Sequence, residues 1–156
     1  MRKHLPNTTA LSLIVISLLA STNVLADDEA TVNAVETRQG IFKLVRAYFG
    51  PIYGMVRGQV EFDAATVNRN ATKIAELADM IPDGFRTNTA GADVLTESLD
   101  GIWDDIEDFN AKAATLVERA NALAEASAGG LDATRKAFGG MGQACKACHD
   151  DYREQN

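Results

Sequence analysis

The chain has 156 residues, and its 22 acidic and 15 basic side chains give a formal charge of −7 at pH 7. An apolar fraction of 46% is typical of one globular domain, and the acidic balance argues against nucleic-acid binding, which needs a basic surface. Two cysteines are too few for a disulfide scaffold or a four-cysteine zinc site, and an aromatic content of only 6% favours helices over a β-sandwich or barrel.

Residues 1–26 have the layout of a secretory signal peptide. A basic start precedes an apolar run from Leu11 to Ala20, and the chain turns acidic directly after Ala26. An uncleaved anchor is the alternative, but the run is shorter than the roughly 20 residues that a spanning helix needs. Cleavage after Ala26 predicts an exported, periplasmic domain over residues 27–156, with no insertion in the membrane. That domain loses two basic residues and no acidic one, which leaves a charge of −9.

The first predicted helix carries apolar residues at spacings of three and four, typical of an inward-facing seam. The seam consists of Val35, Phe42, Val45, Phe49, Ile52 and Val56. Gly50-Pro51 interrupts it, and we expect a kink or break there because proline removes a backbone donor.

The second predicted helix opens at Asp63, a good N-cap, and its apolar stripe runs to Ile81 before Pro82-Asp83-Gly84 stops it. Residues 83–101 show poor periodicity and contain three glycines. We therefore interpret them as the one long connection of the fold.

The third predicted helix starts near Asp104, where Asp104 and Glu107 form a variant of the capping box, and Gly129-Gly130 ends it. The fourth runs from about Asp132. Its inward face carries Phe138, Met141, Cys145, Cys148 and Tyr152. Four amphipathic helices with mostly short connections predict an all-α, antiparallel four-helix bundle.

Cys145, Cys148 and His149 form the pattern C-x-x-C-H, the attachment signature of c-type haem. On a helix, residues three and four apart share a face, so both thiols can reach the vinyl groups on one porphyrin edge. The same face places the imidazole under the iron, where it can serve as the proximal ligand. The motif therefore predicts one covalently bound haem c.

Three other readings of the motif are weaker. A redox-active dithiol pair normally follows a strand and opens a helix, whereas this motif lies near the end of a helical chain. A zinc site needs four ligands, and only two cysteines and one histidine follow residue 26. A structural disulfide would leave the adjacent His149 unexplained.

The sixth coordination position has no second histidine after residue 26 to fill it. Met55, Met80 and Met141 are the methionines of the exported domain. Met141 precedes Cys145 on the same helix and cannot reach the opposite haem face. Met55 and Met80 are more easily explained as packing residues, although a low-spin electron carrier with a methionine ligand remains the alternative.

Several segments resemble cytochrome c′, the high-spin class II c-type cytochromes. Val-Glu-Thr-Arg-Gln at residues 35–39 resembles the Arg-Gln motif of the family's first helix, and Ile-Trp at 102–103 resembles the segment before its third helix. Residues 136–139 and 145–153 resemble its last helix. The resemblance covers nearly all of the predicted mature chain and implies a five-coordinate, high-spin iron.

This resemblance implies that Cys145 and Cys148 are thioether anchors and that His149 is the single axial ligand. It implies that Phe42 forms the distal wall, where the family usually has leucine. Because phenylalanine is bulkier, we expect restricted access for distal ligands such as CO. Low-spin relatives carry a methionine in that region, and this chain has none there.

Arg38 lies on the buried seam and needs an anionic partner there, which a haem propionate would supply; the alternative is that it snorkels to solvent. The resemblance places Gln39 beside it, on the propionate side. It also places Arg153 on the proximal side, one turn past His149, with a solvated helix-end cation as the alternative. Glu97 corresponds loosely to a loop position near the haem edge.

An open iron site with an apolar distal wall suits small neutral diatomics, and the resemblance makes nitric oxide the strongest candidate. Electron transfer is the second function, for which the acidic charge favours a basic redox partner. Peroxidase activity requires a positioned distal acid–base group, so we do not predict an enzyme. The resemblance also suggests a homodimer through the first two helices, and the motif makes a haem-free helical adaptor improbable.

Overall fold

The computed structural model describes residues 21–155, with side chains from residue 29 onward. Its α-helices are α1 (Ser21–Val56), α2 (Ala64–Asp79), α3 (Ile81–Gly84), α4 (Ile106–Ala126) and α5 (Leu131–Tyr152). Within this part of the chain, β pairing is limited to one isolated bridge between Ser98 and Arg153, so the all-α prediction is confirmed. Residues 1–20, most of the predicted signal peptide, lie outside the described residues, and cleavage after Ala26 stays a prediction.

Helix α1 continues through Pro51 to Val56, so the expected break at Gly50-Pro51 is wrong. Pro51 stands near the end of the helix, where it removes only one backbone hydrogen bond. The turn that follows is held by packing, because Ile52, Met55 and Val56 are all buried. Tertiary burial of an apolar face contributes more to helix stability than a single hydrogen bond does.

The inward face of α1 differs in part from the predicted seam. Val35, Ile52 and Val56 are buried as expected, but Phe42 is 37% exposed and Ile41 is buried in its place. Ile41 faces α3, since its Cδ1 would lie 3.4 Å from a Cβ on Gly84. The core-facing arc of α1 therefore includes Ile41 and leaves Phe42 on the flank of the helix.

Asp63 caps α2 as predicted, because its side chain accepts a hydrogen bond from the amide of Ala65 at 3.0 Å. The helix ends earlier than expected, at Asp79. Pro82 does not stop helical structure but lies in the first turn of α3, where proline is tolerated because the first amides of a helix have no partner within it.

Helix α4 starts one residue later than predicted, and the expected cap pair of Asp104 and Glu107 is wrong. Asp105 is the N-cap, and its side chain accepts from the amide of Asp108 at 3.1 Å. Asp104 belongs to the preceding turn, where its amide donates to the carbonyl of Gly101. Gly130, at φ 86°, then allows the sharp turn from α4 into α5.

The four long helices form the predicted antiparallel four-helix bundle. α2 packs along α1 and α4, and α4 packs along α5, whereas α1 and α5 meet over a short stretch only. The side chains that fill the core include Ile52, Val67, Ile74, Ile102, Leu123 and Met141. None of the helices in the described part of the chain combines the length and apolar character of a membrane-spanning segment.

Candidate functional site

Cys145, Cys148 and His149 lie together near the C-terminal end of α5. Both cysteines are half-buried against the core, while the ring of His149 keeps access to solvent. Because this segment is helical, the spacings of three and four place the thiols and the imidazole on one side of the helix. The two thiols are not joined in a disulfide. The arrangement has the geometry that the C-x-x-C-H pattern predicts.

The electrostatic surroundings of the thiols argue against a dithiol redox centre. Burial raises the pKa of Cys145, and it raises the pKa of Cys148 to about 11. A redox-active pair needs a thiol whose pKa is lowered. Partial removal from water and the charge of Arg153 lower the pKa of His149, which favours the neutral imidazole that binds metals. Within the described residues no three metal-binding side chains converge, as zinc would require.

A polar network holds the end of α5 onto α4. The hydroxyl of Tyr152 donates to Asp108 Oδ2 at 2.7 Å, and the ammonium of Lys112 lies 3.1 Å from the same oxygen and 3.2 Å from Asp151 Oδ2. The hydrogen bond to Asp108 and burial raise the pKa of Tyr152 to about 12. Sequence reasoning placed Tyr152 on the inward face but missed Asp108 and Lys112, whose spacing of four was the available signal.

Arg38 is buried, with 2% of its surface exposed, so the alternative of a snorkelling side chain is wrong. Its Nη1 donates to Thr89 Oγ1 at 3.1 Å, and its Nε donates to the carbonyl of Ala34 at 3.3 Å. The guanidinium carbon lies 4.5 Å from the centre of the Phe85 ring and 5.4 Å from the Trp103 ring. Its Nη2 is buried with no hydrogen-bond partner in the described structure.

The close approach of α3 to α1 fixes the backbone around Arg38. A Cβ at Gly84 would lie 3.1 Å from the Cβ and 3.3 Å from the Cα of Arg38. Only a residue without a side chain allows this spacing without displacement of one helix. Phe85 follows directly, and its carbonyl accepts the indole N–H of Trp103 at 3.1 Å. Both rings beside Arg38 are thus held in place by the fold.

Contacts between α1 and α5 set their register. The rings of Phe49 and Phe138 lie 5.1 Å apart, and the guanidinium of Arg135 donates to the carbonyl of Val56 at 2.9 Å. Because the two helices run antiparallel, Phe42, two turns before Phe49, stands at the level of Cys145, two turns after Phe138. Phe42 lies seven residues from Phe49 and so on the same side of α1, and its ring centre is 6.5 Å from that of Phe85.

One turn before Phe42, Arg38 stands at the level of His149 in the same register. At this end of the bundle a chain of aromatic contacts runs from Phe85, which lies against Arg38 of α1, through α4 to α5. The ring of Phe85 lies 4.6 Å from that of Phe109, which in turn lies 5.4 Å from the ring of Tyr152. Arg38, Phe42 and the cysteine–histidine turn, far apart in sequence, therefore lie at one end of the fold.

The long connection brings together the remaining predicted site residues. The side-chain amide of Gln39 donates to the carbonyl of Leu95 at 3.1 Å. Arg153 and Glu97 form an ion pair, in which the Nε of Arg153 lies 2.8 Å from Glu97 Oε2. The sequence indicated both residues separately but gave no sign that they pair, because 56 residues separate them.

The residues at this end fit a covalently bound haem. Two half-buried thiols and a neutral imidazole would serve as the attachment points and the proximal ligand. The buried Nη2 of Arg38 is a charged donor without a partner, and a buried charge normally requires one. A carboxylate such as a haem propionate satisfies this requirement, since guanidinium and carboxylate groups form strong charge-assisted hydrogen bonds.

The methionines occupy different places relative to this site. Met141 is fully buried on α5, one turn before Cys145, and Met55 is buried at the opposite end of the bundle, beside the contact of Val56 with α5. Met80 lies at the same end as Arg38, between α2 and α3, with 48% of its surface exposed.

Comparisons with known proteins give matches over most of the chain. The family model described as Cytochrome C' matches residues 33–153. A cytochrome c′ of Cereibacter sphaeroides is 33% identical over 143 residues, which are 90% of this chain and 96% of that protein.

Solved structures show the same fold. A cytochrome c′ structure from Rhodobacter sphaeroides gives a TM-score of 0.74 at 34% identity and covers 81% of this chain and 98% of its own. A ferrous variant of the Alcaligenes xylosoxidans protein, solved with bound nitric oxide, gives a TM-score of 0.69 at 33% identity. The match covers 79% of this chain and 94% of that one. The chain belongs to the cytochrome c′ family, whose cofactor is haem c.

Proposed function

We propose that this protein is a periplasmic haem protein with a five-coordinate, high-spin iron that binds nitric oxide or transfers single electrons. The observation that carries the proposal is the position of Phe42. The antiparallel register of α1 and α5, fixed by the contact of Phe49 with Phe138, brings this residue to the level of Cys145, and its apolar ring offers no atom that binds iron. His149 is the only histidine after residue 26, so no second imidazole can complete the coordination.

In this proposal Cys145 and Cys148 hold the cofactor through thioether bonds, and His149 is the axial ligand. Haem iron, when bound, supplies a one-electron couple and an open coordination position for a small ligand. Arg38 pairs with a propionate through its buried Nη2, and Gln39 lies on the same side of the site. Phe42 excludes water and charged ligands from the distal side.

Neutral diatomic gases suit a site of this kind, since their entry requires only the movement of apolar side chains. A similar protein was solved with bound nitric oxide, which supports the same ligand here. Binding and electron transfer, rather than catalytic turnover, are the activities that we assign. The charge of the mature domain favours a basic redox partner, whose association would weaken as salt is raised.

The first test is the visible spectrum of the purified ferrous protein and of His149→Ala. Broad, poorly resolved bands in the wild-type protein are expected for a five-coordinate iron. His149→Ala should keep its haem through the two cysteines but change this spectrum, because the proximal nitrogen is gone. An unchanged spectrum in the variant would refute the ligand assignment.

Met80→Ala and Met55→Ala test the alternative of a low-spin electron carrier. Neither substitution should alter the ferrous spectrum, because Met55 lies at the opposite end of the bundle and Met80 is half-exposed. Sharp, split bands in the wild-type protein that broaden in Met80→Ala would instead identify a sixth ligand. Nitric oxide titration of the wild-type protein then separates gas binding from electron transfer alone.

Export and assembly are part of the same proposal. Mass spectrometry of the periplasmic protein should give a chain that begins after Ala26. Val32 and Leu44 expose apolar surface on α1, which supports a homodimer through the first two helices. Sedimentation analysis of the wild-type protein and Leu44→Glu should show a dimer that the added charge weakens.

A further inference from the structure

The end of α5 is paired with the long connection through three separate interactions. The amide of Leu99 donates to the carbonyl of Tyr152 at 3.0 Å, and the amide of Glu154 donates to the carbonyl of Glu97 at 2.8 Å. The side chains of Arg153 and Glu97 form the ion pair described above, with two guanidinium nitrogens directed at one carboxylate oxygen. We call residues 97–99 and 152–154 together the C-terminal clamp.

The clamp reaches the backbone of His149 directly. Arg153 is the C-cap of α5, and its amide donates to the carbonyl of His149 at 3.2 Å. The side chain of Gln155 donates to the same carbonyl at 2.9 Å. A cavity of about 200 Å³ beside the imidazole is lined by His149, Arg153, Glu154 and Gln155. The position of the last helical turn therefore depends on where the clamp holds Arg153.

The other end of the same connection is attached to α1. Thr89 accepts a hydrogen bond from the buried Arg38, and the carbonyl of Leu95 accepts one from Gln39. The connection therefore runs from the Arg38 side of the site to the His149 side and is bound at both ends. A movement of Glu97 would be transmitted to the turn that carries the imidazole.

We propose that Glu97 is a positioning residue for the axial histidine: it holds Arg153 and thereby fixes the last turn of α5 and the orientation of His149. This inference rests on the axial role of His149 proposed above. The ion pair is half-exposed, with side-chain exposures of 44% for Arg153 and 54% for Glu97. Exposed pairs contribute little to global stability, so its effect should be local.

The test uses four variants. They are Glu97→Gln, Arg153→Gln, the double variant that carries both changes, and a charge-swapped variant that carries Glu97→Arg and Arg153→Glu together. Asp93→Asn is the matched control, because it removes one exposed carboxylate from the same connection. Two quantities are measured on the haem-loaded protein: amide hydrogen exchange at Leu99 and Glu154, and the iron–histidine stretching band in the resonance Raman spectrum of the ferrous form.

Either single variant should speed exchange of both amides roughly two- to fivefold, the effect of losing one exposed ion pair. Each should also move the iron–histidine band in the same direction. The double variant should add nothing further, the swapped pair should restore both readouts, and Asp93→Asn should change neither. If Glu97→Gln does not fold, Glu97→Asp takes its place. Because aspartate keeps the charge on a shorter side chain, the expected changes in amide exchange and in the iron–histidine band are smaller.

Faster exchange with an unmoved iron–histidine band would show that the clamp is merely structural, and it would overturn this inference alone. Equal behaviour of Glu97→Gln and Asp93→Asn would do the same. A wild-type protein without an iron–histidine band would instead refute the axial assignment of His149, and this inference with it.

Discussion

The guanidinium of Arg38 lies over the ring of Phe85, with its central carbon 4.5 Å from the ring centre. A charged side chain at 2% exposure normally costs more than it contributes unless it is paired. Here two aromatic rings and the hydroxyl of Thr89 surround the cation, and cation–π contacts of this kind are strongest where water is excluded. Nη2 has no hydrogen-bond partner among the described residues, and in the function proposed above it is the donor to a haem propionate.

Replacement of Arg38 by leucine should lower the reduction potential of the haem. Loss of a buried positive charge near the iron favours the ferric state, and the propionate loses its donor. The change also leaves the hydroxyl of Thr89 unpaired, which should cost about 1–3 kcal/mol of unfolding free energy. Spectroelectrochemical titration checks the potential. Arg38→Lys keeps the charge, so its reduction potential should stay close to that of the wild-type protein. An unshifted midpoint potential in Arg38→Leu would argue against the propionate contact.

Replacement of Phe42 by alanine should speed the binding of CO. Phe42 stands at the level of Cys145 in the register of α1 and α5, and its ring centre lies 6.5 Å from that of Phe85, so its removal should open the distal side proposed above. We expect roughly a tenfold higher rate constant, which corresponds to a barrier lower by about 1.4 kcal/mol. Flash photolysis or stopped-flow mixing measures it. Lys43→Ala, at an exposed residue of the same helix, is the control, and equal rates in both variants would show that Phe42 is not the distal wall.

The hydrogen bond from Tyr152 to Asp108 should make stability fall at both extremes of pH. It raises the pKa of Tyr152 from its ordinary value of 10.0 to about 12, so the folded protein keeps this proton to a higher pH than the unfolded chain does. The stabilising contribution is complete below pH 10 and is lost as pH rises towards 12. The same bond lowers the pKa of Asp108, whose contribution is lost as pH falls below the ordinary carboxyl range.

Tyr152→Phe tests this by chemical denaturation across the acid and alkaline ranges. The variant should lose the alkaline decline assigned to Tyr152, and its acid decline should become smaller, because the pKa of Asp108 in the folded protein then lies closer to its ordinary value. Identical pH profiles for the variant and the wild-type protein would mean that the bond contributes nothing in solution.

Truncation of Leu123 to alanine should strongly destabilise the bundle. Leu123 is fully buried in α4, and a leucine-to-alanine change in a packed core costs about 2–5 kcal/mol. Leu95→Ala, at a residue that is 93% exposed, should change the unfolding free energy by less than about 0.5 kcal/mol. Thermal and denaturant unfolding of the haem-loaded proteins measures both. Similar losses for the two variants would contradict the assignment of α4 to the core.

Helical periodicity predicted the four long helices because the spacing of apolar residues reflects burial within a single helix. It failed at the ends of the helices, where packing and turn geometry compete with local preference. Pro51 stays inside α1 because the buried residues after it outweigh one lost hydrogen bond. Asp105 rather than Asp104 caps α4 because Asp104 still belongs to the turn that starts at Gly101, so the helix begins one residue later than its local sequence indicates.

The sequence by itself determined the bundle and the grouping of Cys145, Cys148 and His149, because all three residues lie within two turns of one helix and their spacing alone places them on one side. Only the tertiary structure decided that Arg38 is enclosed by Phe85 and that Glu97 pairs with Arg153. In each pair one partner, Phe85 or Glu97, lies in the long connection without periodicity, and which residues such a segment contacts depends on how the packed helices hold its ends.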